Sequence, residues 1–322
     1  MIEVKALTKR YGERVAIDRL TFNANKGEIV GFLGPNGAGK TTTMRILTGF
    51  MPATDGEGKV AGFDLMTQGL EVRKRVGYLP EAVPLYPEMT VMGYLDFMAE
   101  LRRVPGRQDR VDEVMELVNI ADRANSYCAN LSKGLRQRVG LAQALLHKPD
   151  VLIMDEPMDG LDPQQQIEVK KLIRDIGKDH TVMLSTHILA HAQELADRVI
   201  IINKGRIVAE DAPDRLAGQI GGGSRISLTV GGDGAGLVEG LAAVPGVAAV
   251  QAAEPGRFEI EAAPGADPRA QIAAAVVGGG HTLLELRRES ATLERIFIEL
   301  TRAEQAELSE PTSAAAEEGE PA

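Results

Sequence analysis

The most constraining feature of the 322-residue sequence is Gly34-Pro35-Asn36-Gly37-Ala38-Gly39-Lys40-Thr41, set between an unbroken apolar run, Ile29 to Leu33, and a segment beginning at Thr42 with helical spacing. Strand, glycine-rich loop and helix in that order form the context a phosphate-binding loop requires. Gly34, Gly37 and Gly39 let backbone N–H groups crowd around phosphate oxygens without Cβ obstruction, and the helix N-terminus adds a favourable dipole. Lys40 can reach β and γ phosphates, and the Thr41 hydroxyl is the expected Mg²⁺ ligand. A mere glycine-rich turn could share these letters but has no need of the flanking strand and helix.

The surrounding pattern fits such a loop. Ile29 to Leu33, Val151 to Met154, Thr181 to Leu184 and Val199 to Ile202 are short apolar runs without alternation. Strands of this kind are covered on both faces, as in a parallel sheet flanked by helices. Before them, Ile2 to Ala6, Val15 to Ile17 and Leu20 to Ala24 read as three extended runs of a small antiparallel sheet. Between the strands lies a helical insert. Thr90 caps a helix whose face carries Val91, Tyr94, Leu95, Met98 and Leu101, and a second helix carries Val111, Val114, Met115 and Val118.

A second chemical signal is Val151-Leu-Ile-Met-Asp155-Glu156, four apolar residues ending in two carboxylates. At the carboxyl edge of a parallel strand, Asp155 can orient Mg²⁺ through water and Glu156 can polarise an attacking water. Two such acids could also serve as helix-capping charges. Upstream, Leu131-Ser132-Lys133-Gly134 opens a basic helix that Ser132 caps. In isolation that helix could equally carry nothing.

Composition narrows the classes. With 36 Lys and Arg against 46 Asp and Glu the formal charge is −10, so no general attraction for nucleic acid or anionic lipid is expected. The single cysteine, Cys128, cannot form an intrachain disulfide, which suits a reducing cytosol. No apolar stretch reaches the roughly 18 residues of a membrane span, and the charged beginning does not read as a signal peptide.

Taken together, these elements resemble the ATP-binding subunits of ABC transporters. The resemblance rests on the loop from Gly34 to Thr41, the signature segment Leu131-Ser132-Lys133-Gly134, the acids Asp155-Glu156 before Pro157, the turn Gly160-Leu161-Asp162-Pro163, and Ser185-Thr186-His187 after the next strand. It implies a P-loop NTPase of ABC type, an α/β fold with an antiparallel β subdomain and a helical insert, over residues 1–218. It also implies that the loop residues Gly34, Pro35, Asn36, Gly37, Ala38, Gly39, Lys40, Thr41 and Thr42 bind ATP, that Tyr11 stacks on adenine, that His187 contacts the γ-phosphate, and that Asp162 links the two sites of a dimer. Ser132 and Gly134 would face the γ-phosphate held by the opposite subunit. Lys40, Glu156 and His187 form the expected catalytic set, with Thr41, Asp155 and Glu81 around Mg²⁺.

Three departures stand out. Glu81 occupies a position where the family usually has glutamine, Lys133 and Leu135 replace the commoner glycine and glutamine, and Met158-Asp159 replaces small polar residues. Together with Ser290 to Thr301, they resemble the ATPases of ABC-2 type exporters similar to gliding-motility, drug- or sodium-efflux systems. The implied protein is a homodimer, or pairs with a paralogous ATPase. It is cytoplasmic and peripheral on the inner face of the membrane, docked on a separate multi-span permease. The competing class is a soluble ABC ATPase of DNA repair or translation, disfavoured by the acidic charge and the absence of a long coiled coil.

Beyond this domain, Gly221-Gly222-Gly223-Ser224 marks a linker, placed at 219–224. Residues 225–303 read as strand, helix, two strands, helix, strand and a final helix from Thr292 to Ala303, a small ferredoxin-like α+β module. The acidic residues 304–322 are expected to be disordered.

Overall fold

A computed structural model describes residues 1–213, 215, 225–234, 236–263 and 266–289. The contacts divide the chain into two units, Met1–Pro213 and Asp214–Ala322. The glycine linker, the final helix and the acidic tail expected from the sequence lie outside the described residues.

The first unit opens with β1 (Ile2–Tyr11) and β2 (Arg14–Ala24), which join β4 (Asp55–Val60) and β5 (Phe63–Asp64) in an antiparallel sheet of order β2-β1-β4-β5. Two long strands thus replace the three short runs expected. Their interruptions are irregularities within the strands: Ala6 and Arg19 adopt positive φ angles of 50° and 51°, and the register slips between Val4 and Leu7. Hydroxyls fill the gaps in the ladder. Ala6 N donates to Thr21 Oγ1 at 2.9 Å and Arg19 N to Thr8 Oγ1 at 3.1 Å. The slip exposes Ala6 and turns Leu7 inward, because one extra residue reverses the pleat.

The second sheet has order β10-β9-β3-β8-β7-β6. Its strands β3 (Ile29–Leu33), β6 (Val76–Leu79), β7 (Val151–Asp155), β8 (Thr181–Thr186) and β9 (Arg198–Asn203) are parallel, while β10 (Arg206–Asp211) returns antiparallel at one edge. Every residue of β3, β7 and β8 is buried, as unbroken apolar runs require. Alternate residues still choose different layers. Val151 and Ile153 join Val30 and Phe32 against the antiparallel sheet and α1 (Lys40–Leu47), whereas Leu152 and Met154 join a second core.

That second core is built from α3 (Val91–Leu101), α4 (Arg107–Leu117), α5 (Lys133–Leu145) and α6 (Pro163–Gly177). Two shorter helices, α2 (Gly69–Arg75) and α7 (Leu189–Leu195), lead into β6 and β9 respectively. Thr90 caps α3, its hydroxyl accepting from Gly93 N at 3.1 Å. Val91, Tyr94 and Leu95 are buried as their spacing predicts, but Leu101 is 62% exposed. The helix ends there, and Arg103 takes a φ of 53°, so the last turn leaves the packed face.

The second unit runs β11 (Arg225–Val230), α8 (Leu237–Ala242), β12 (Val247–Glu254), β13 (Arg257–Ala262), α9 (Arg269–Gly278) and β14 (Leu283–Glu289). Its sheet, of order β12-β13-β11-β14, is antiparallel throughout. Ile226, Leu228, Phe258 and Ile260 pack with Leu241, Ile272 and Val276 of the helices. The order of elements and of strands is that of a ferredoxin-like module.

Candidate nucleotide site

The carboxyl ends of β3, β7, β8 and β6 lie along one edge of the parallel sheet, where open α/β sheets bind ligands. A cavity of about 830 Å³ opens there, within the roughly 300–1,000 Å³ usual for small-molecule sites.

The loop after β3 forms one wall. At Gly34 a Cβ would lie 2.3 Å from Ile202 O, so the loop can start only where no side chain intervenes. Gly37 has a φ of 84° and no atom within 4 Å of the Cβ position, which leaves its backbone open to the cavity. The loop then enters α1 with no side-chain cap at Gly39, so the first N–H groups of the helix have no capping side chain. That cradle fits phosphate.

Lys40 is 6% exposed; its ammonium donates to Gly34 O at 2.8 Å and Pro35 O at 3.1 Å and lies 3.4 Å from Glu156 Oε1. Glu156, its side chain 10% exposed, has a second contact, His187 Nδ1 at 3.0 Å from Oε2. Glu156 also holds a left-handed φ of 48°, a conformation costing a side-chain-bearing residue roughly 1–3 kcal/mol. Ser185 helps to fix it. Its hydroxyl accepts from Glu156 N at 3.0 Å and donates to Asp155 Oδ1 at 2.5 Å. Nearby, burial and then the charge of Asp155 push the Tyr78 phenol up to about 12.

Tyr11 stands at the rim, 48% exposed, with its hydroxyl donating to Met51 Sδ at 3.2 Å and the Lys9 ammonium 5.4 Å from its ring centre. An exposed aromatic face at this rim offers an apolar surface on which a flat ring can pack.

Tyr11, Asn36, Gly37, Gly39, Lys40, Thr41, Thr42, Glu81, Glu156 and His187 line this one cavity. Gly34 and Pro35 stand behind it as acceptors for Lys40, while Ala38 and Asp155 are buried. Ser132, Gly134 and Asp162 are not part of its wall. Ser132 caps α5, accepting from Leu135 N at 3.3 Å, and Asp162 caps α6, accepting from Gln165 N at 2.9 Å. Sequence reasoning missed Arg14, Val15, Ala16, Asp159 and Lys204, all on the cavity wall. One signal was available: the tight turn at Gly12 pairs Arg14 with Tyr11, so a residue assigned to the rim brings its cross-strand partner with it.

The donor set suits a hard divalent cation. Glu81 and Glu156 share the wall with the Thr41 hydroxyl, and a polyphosphate entering beside them needs its charge offset. No group of three or more His, Cys, Asp or Glu side chains able to hold a metal by itself occurs among the described residues, so phosphate oxygens would have to complete the shell. Among the same residues no helix is long and apolar enough to cross a membrane.

Comparison with known proteins agrees with this geometry. Residues 17–159 match the family described as ABC transporter. The linearmycin resistance ATP-binding protein LnrL of Bacillus subtilis is 30% identical over 305 residues, covering 94% of this chain and 98% of that protein. The bacitracin transport ATP-binding protein BcrA of Bacillus licheniformis is 37% identical over 218 residues, 67% of this chain and 71% of that protein. Among solved structures, an ATP-binding subunit of an ABC transporter superposes with a TM-score of 0.63 at 31% identity, covering 69% of this chain and 93% of that one. A dimeric bacterial ABC transporter cassette gives 0.60 at 25% identity, covering 66% and 98%.

Proposed function

This chain belongs to the ABC transporter ATP-binding proteins, and on that premise we propose that it hydrolyses ATP within a dimer to drive export through a separate membrane permease. The observation that carries the reading is the Lys40–Glu156–His187 array beneath an open phosphate cradle. Tyr11 stacks on the adenine, the backbone of residues 34–39 receives the phosphates, and Lys40 turns from its carbonyl partners to their oxygens. Glu156 accepts a hydrogen bond from the attacking water and takes up its proton as the water oxygen bonds to the γ-phosphorus and the bond to the β–γ bridging oxygen breaks, ADP leaving with that electron pair. His187, with its proton on Nδ1, orients that carboxylate. Thr41 and Glu81, with Asp155 through water, would hold Mg²⁺, which neutralises charge developing on the phosphates.

Ser132 and Gly134 head a helix N-terminus outside their own chain's cavity, which supports a composite site in which they cap the nucleotide of a second copy or a paralogue. Nucleotide then holds the two subunits together, and hydrolysis releases them. The named relatives are resistance and transport ATP-binding proteins, which supports export rather than DNA repair or translation. The protein would accordingly work on the inner face of the membrane.

The test is twofold. The purified chain should release phosphate from MgATP, and a tagged copy recovered from solubilised membranes should carry a multi-span protein. Recovery with ribosomes or DNA instead would overturn the transport assignment.

A further inference from the structure

Two of the positions at which this chain departs from its family's usual residues meet each other. Lys133 Nζ lies 2.9 Å from Asp159 Oδ2, 26 residues away in sequence. Lys133 begins α5 directly after its cap, so its backbone is fixed. Asp159 lies in the turn after Glu156, its N–H donating to Glu156 O at 3.1 Å. The side chain of Lys133 passes over Gly160. The glycine has a φ of 62°, and a Cβ there would lie 2.2 Å from Lys133 Nζ. The lysine therefore crosses the glycine to reach an aspartate that also forms part of the nucleotide cavity wall.

The pair contributes little to stability. Its side chains are 44% and 39% exposed, and surface pairs of that kind are worth about 0–1 kcal/mol. Its location has a different consequence. Glu81 and Glu156 have assigned work at the metal and the water, whereas Asp159 has none there and adds a further negative charge beside a polyphosphate. Resting on the nucleotide reading above, we infer that Lys133 is a positioning residue that acts through Asp159. It cancels the charge of the aspartate at the cavity and ties the signature helix to the turn carrying Glu156. ATP affinity in this chain then depends on a lysine that is absent from the wall of its own cavity.

A double-mutant cycle in the full-length protein separates this from direct contact between Lys133 and a phosphate. Lys133→Met should raise KM for ATP about fivefold while leaving kcat within about twofold, and higher salt should shrink the defect. Asp159→Asn should lower KM about two- to threefold. The double variant should return to near the wild-type KM, and all four proteins should share a melting temperature. A double variant as impaired as Lys133→Met overturns the inference, since the lysine would then act without Asp159. A salt-independent defect, or one confined to kcat, overturns it as well. Failure of the wild-type chain to bind MgATP would be seen before any variant is made and would remove the nucleotide reading itself.

Discussion

The Lys40 ammonium lies 3.4 Å from the Glu156 carboxylate, and both side chains are almost wholly withdrawn from water. Removing the carboxylate leaves the buried ammonium with two carbonyl acceptors, and removing Lys40 leaves the buried carboxylate with His187, so either loss costs more than at an exposed pair. The two ends of the phosphate site are thereby linked even without nucleotide.

Replacing Glu156 with Gln keeps the shape and removes the proton acceptor. The variant should bind MgATP but turn over at least about a hundredfold more slowly, and should accumulate as an ATP-bound dimer. Single-turnover kinetics together with size-exclusion chromatography would check both. Near-normal turnover would remove Glu156 from its role.

If Ser132 of one subunit completes the site that contains Lys40 of the other, two dead chains can complement. Mixing Ser132→Arg with Lys40→Ala should restore some activity, because one site of the heterodimer carries both lesions and the other neither. A mixture that stays dead, despite proven subunit exchange and activity in a wild-type/double-mutant control, would withdraw the composite site.

The loop glycines should fail in different ways. Gly34→Ala drives a methyl to within 2.3 Å of Ile202 O and should destabilise the fold by several degrees of melting temperature. Gly37→Ala meets no neighbour, so its cost is confined to a φ of 84°, about 1 kcal/mol, and the larger loss should be in nucleotide affinity. Equal melting temperatures for the two variants would contradict this.

A pH dependence follows from His147, whose Nε2 lies 3.1 Å from Val76 O and 3.5 Å from Arg102 Nη1. Burial, and then the arginine charge, push the imidazole down to about 4. The folded protein holds it neutral while the unfolded chain protonates it near 6.5, so stability falls as pH drops through 6.5 towards 4. Between pH 7.5 and 5 this contributes about 2 kcal/mol of destabilisation. The His147→Gln variant should lose correspondingly less melting temperature than wild type over that interval, and parallel losses would refute the assignment.

What could be read from the sequence was what depends on local periodicity and spacing. The loop from Gly34 to Thr41 was legible because the run before it and the helix after it declare themselves. Asp155 and Glu156 were legible because they end such a run, and the ferredoxin-like order emerged from the succession of short strand and helix patterns. Other features depend on geometry that spacing does not encode. Ala6 and Arg19 enter the left-handed region with no glycine to mark it, so two strands read as three runs. Leu101 keeps the period of α3 but falls in the turn where the helix leaves its core. Lys133 and Asp159 each stood out as departures, yet their pairing needs the cap of α5 and the turn after β7 to be brought side by side.

The Ser185 hydroxyl has a single hydrogen, and it is committed to Asp155, which leaves an oxygen lone pair for Glu156 N. One oxygen atom therefore sets the pitch of two neighbouring acids, the one assigned to metal and the one assigned to water. They share one gauge block: a tilt of β8 that moves Ser185 bears on the Asp155 carboxylate and on the Glu156 backbone together. His187, two residues further along the same chain segment and in contact with Glu156, moves on the same lever. A phosphate contacting that end of β8 therefore meets three groups, Asp155, Glu156 and His187, tied to one short stretch of backbone.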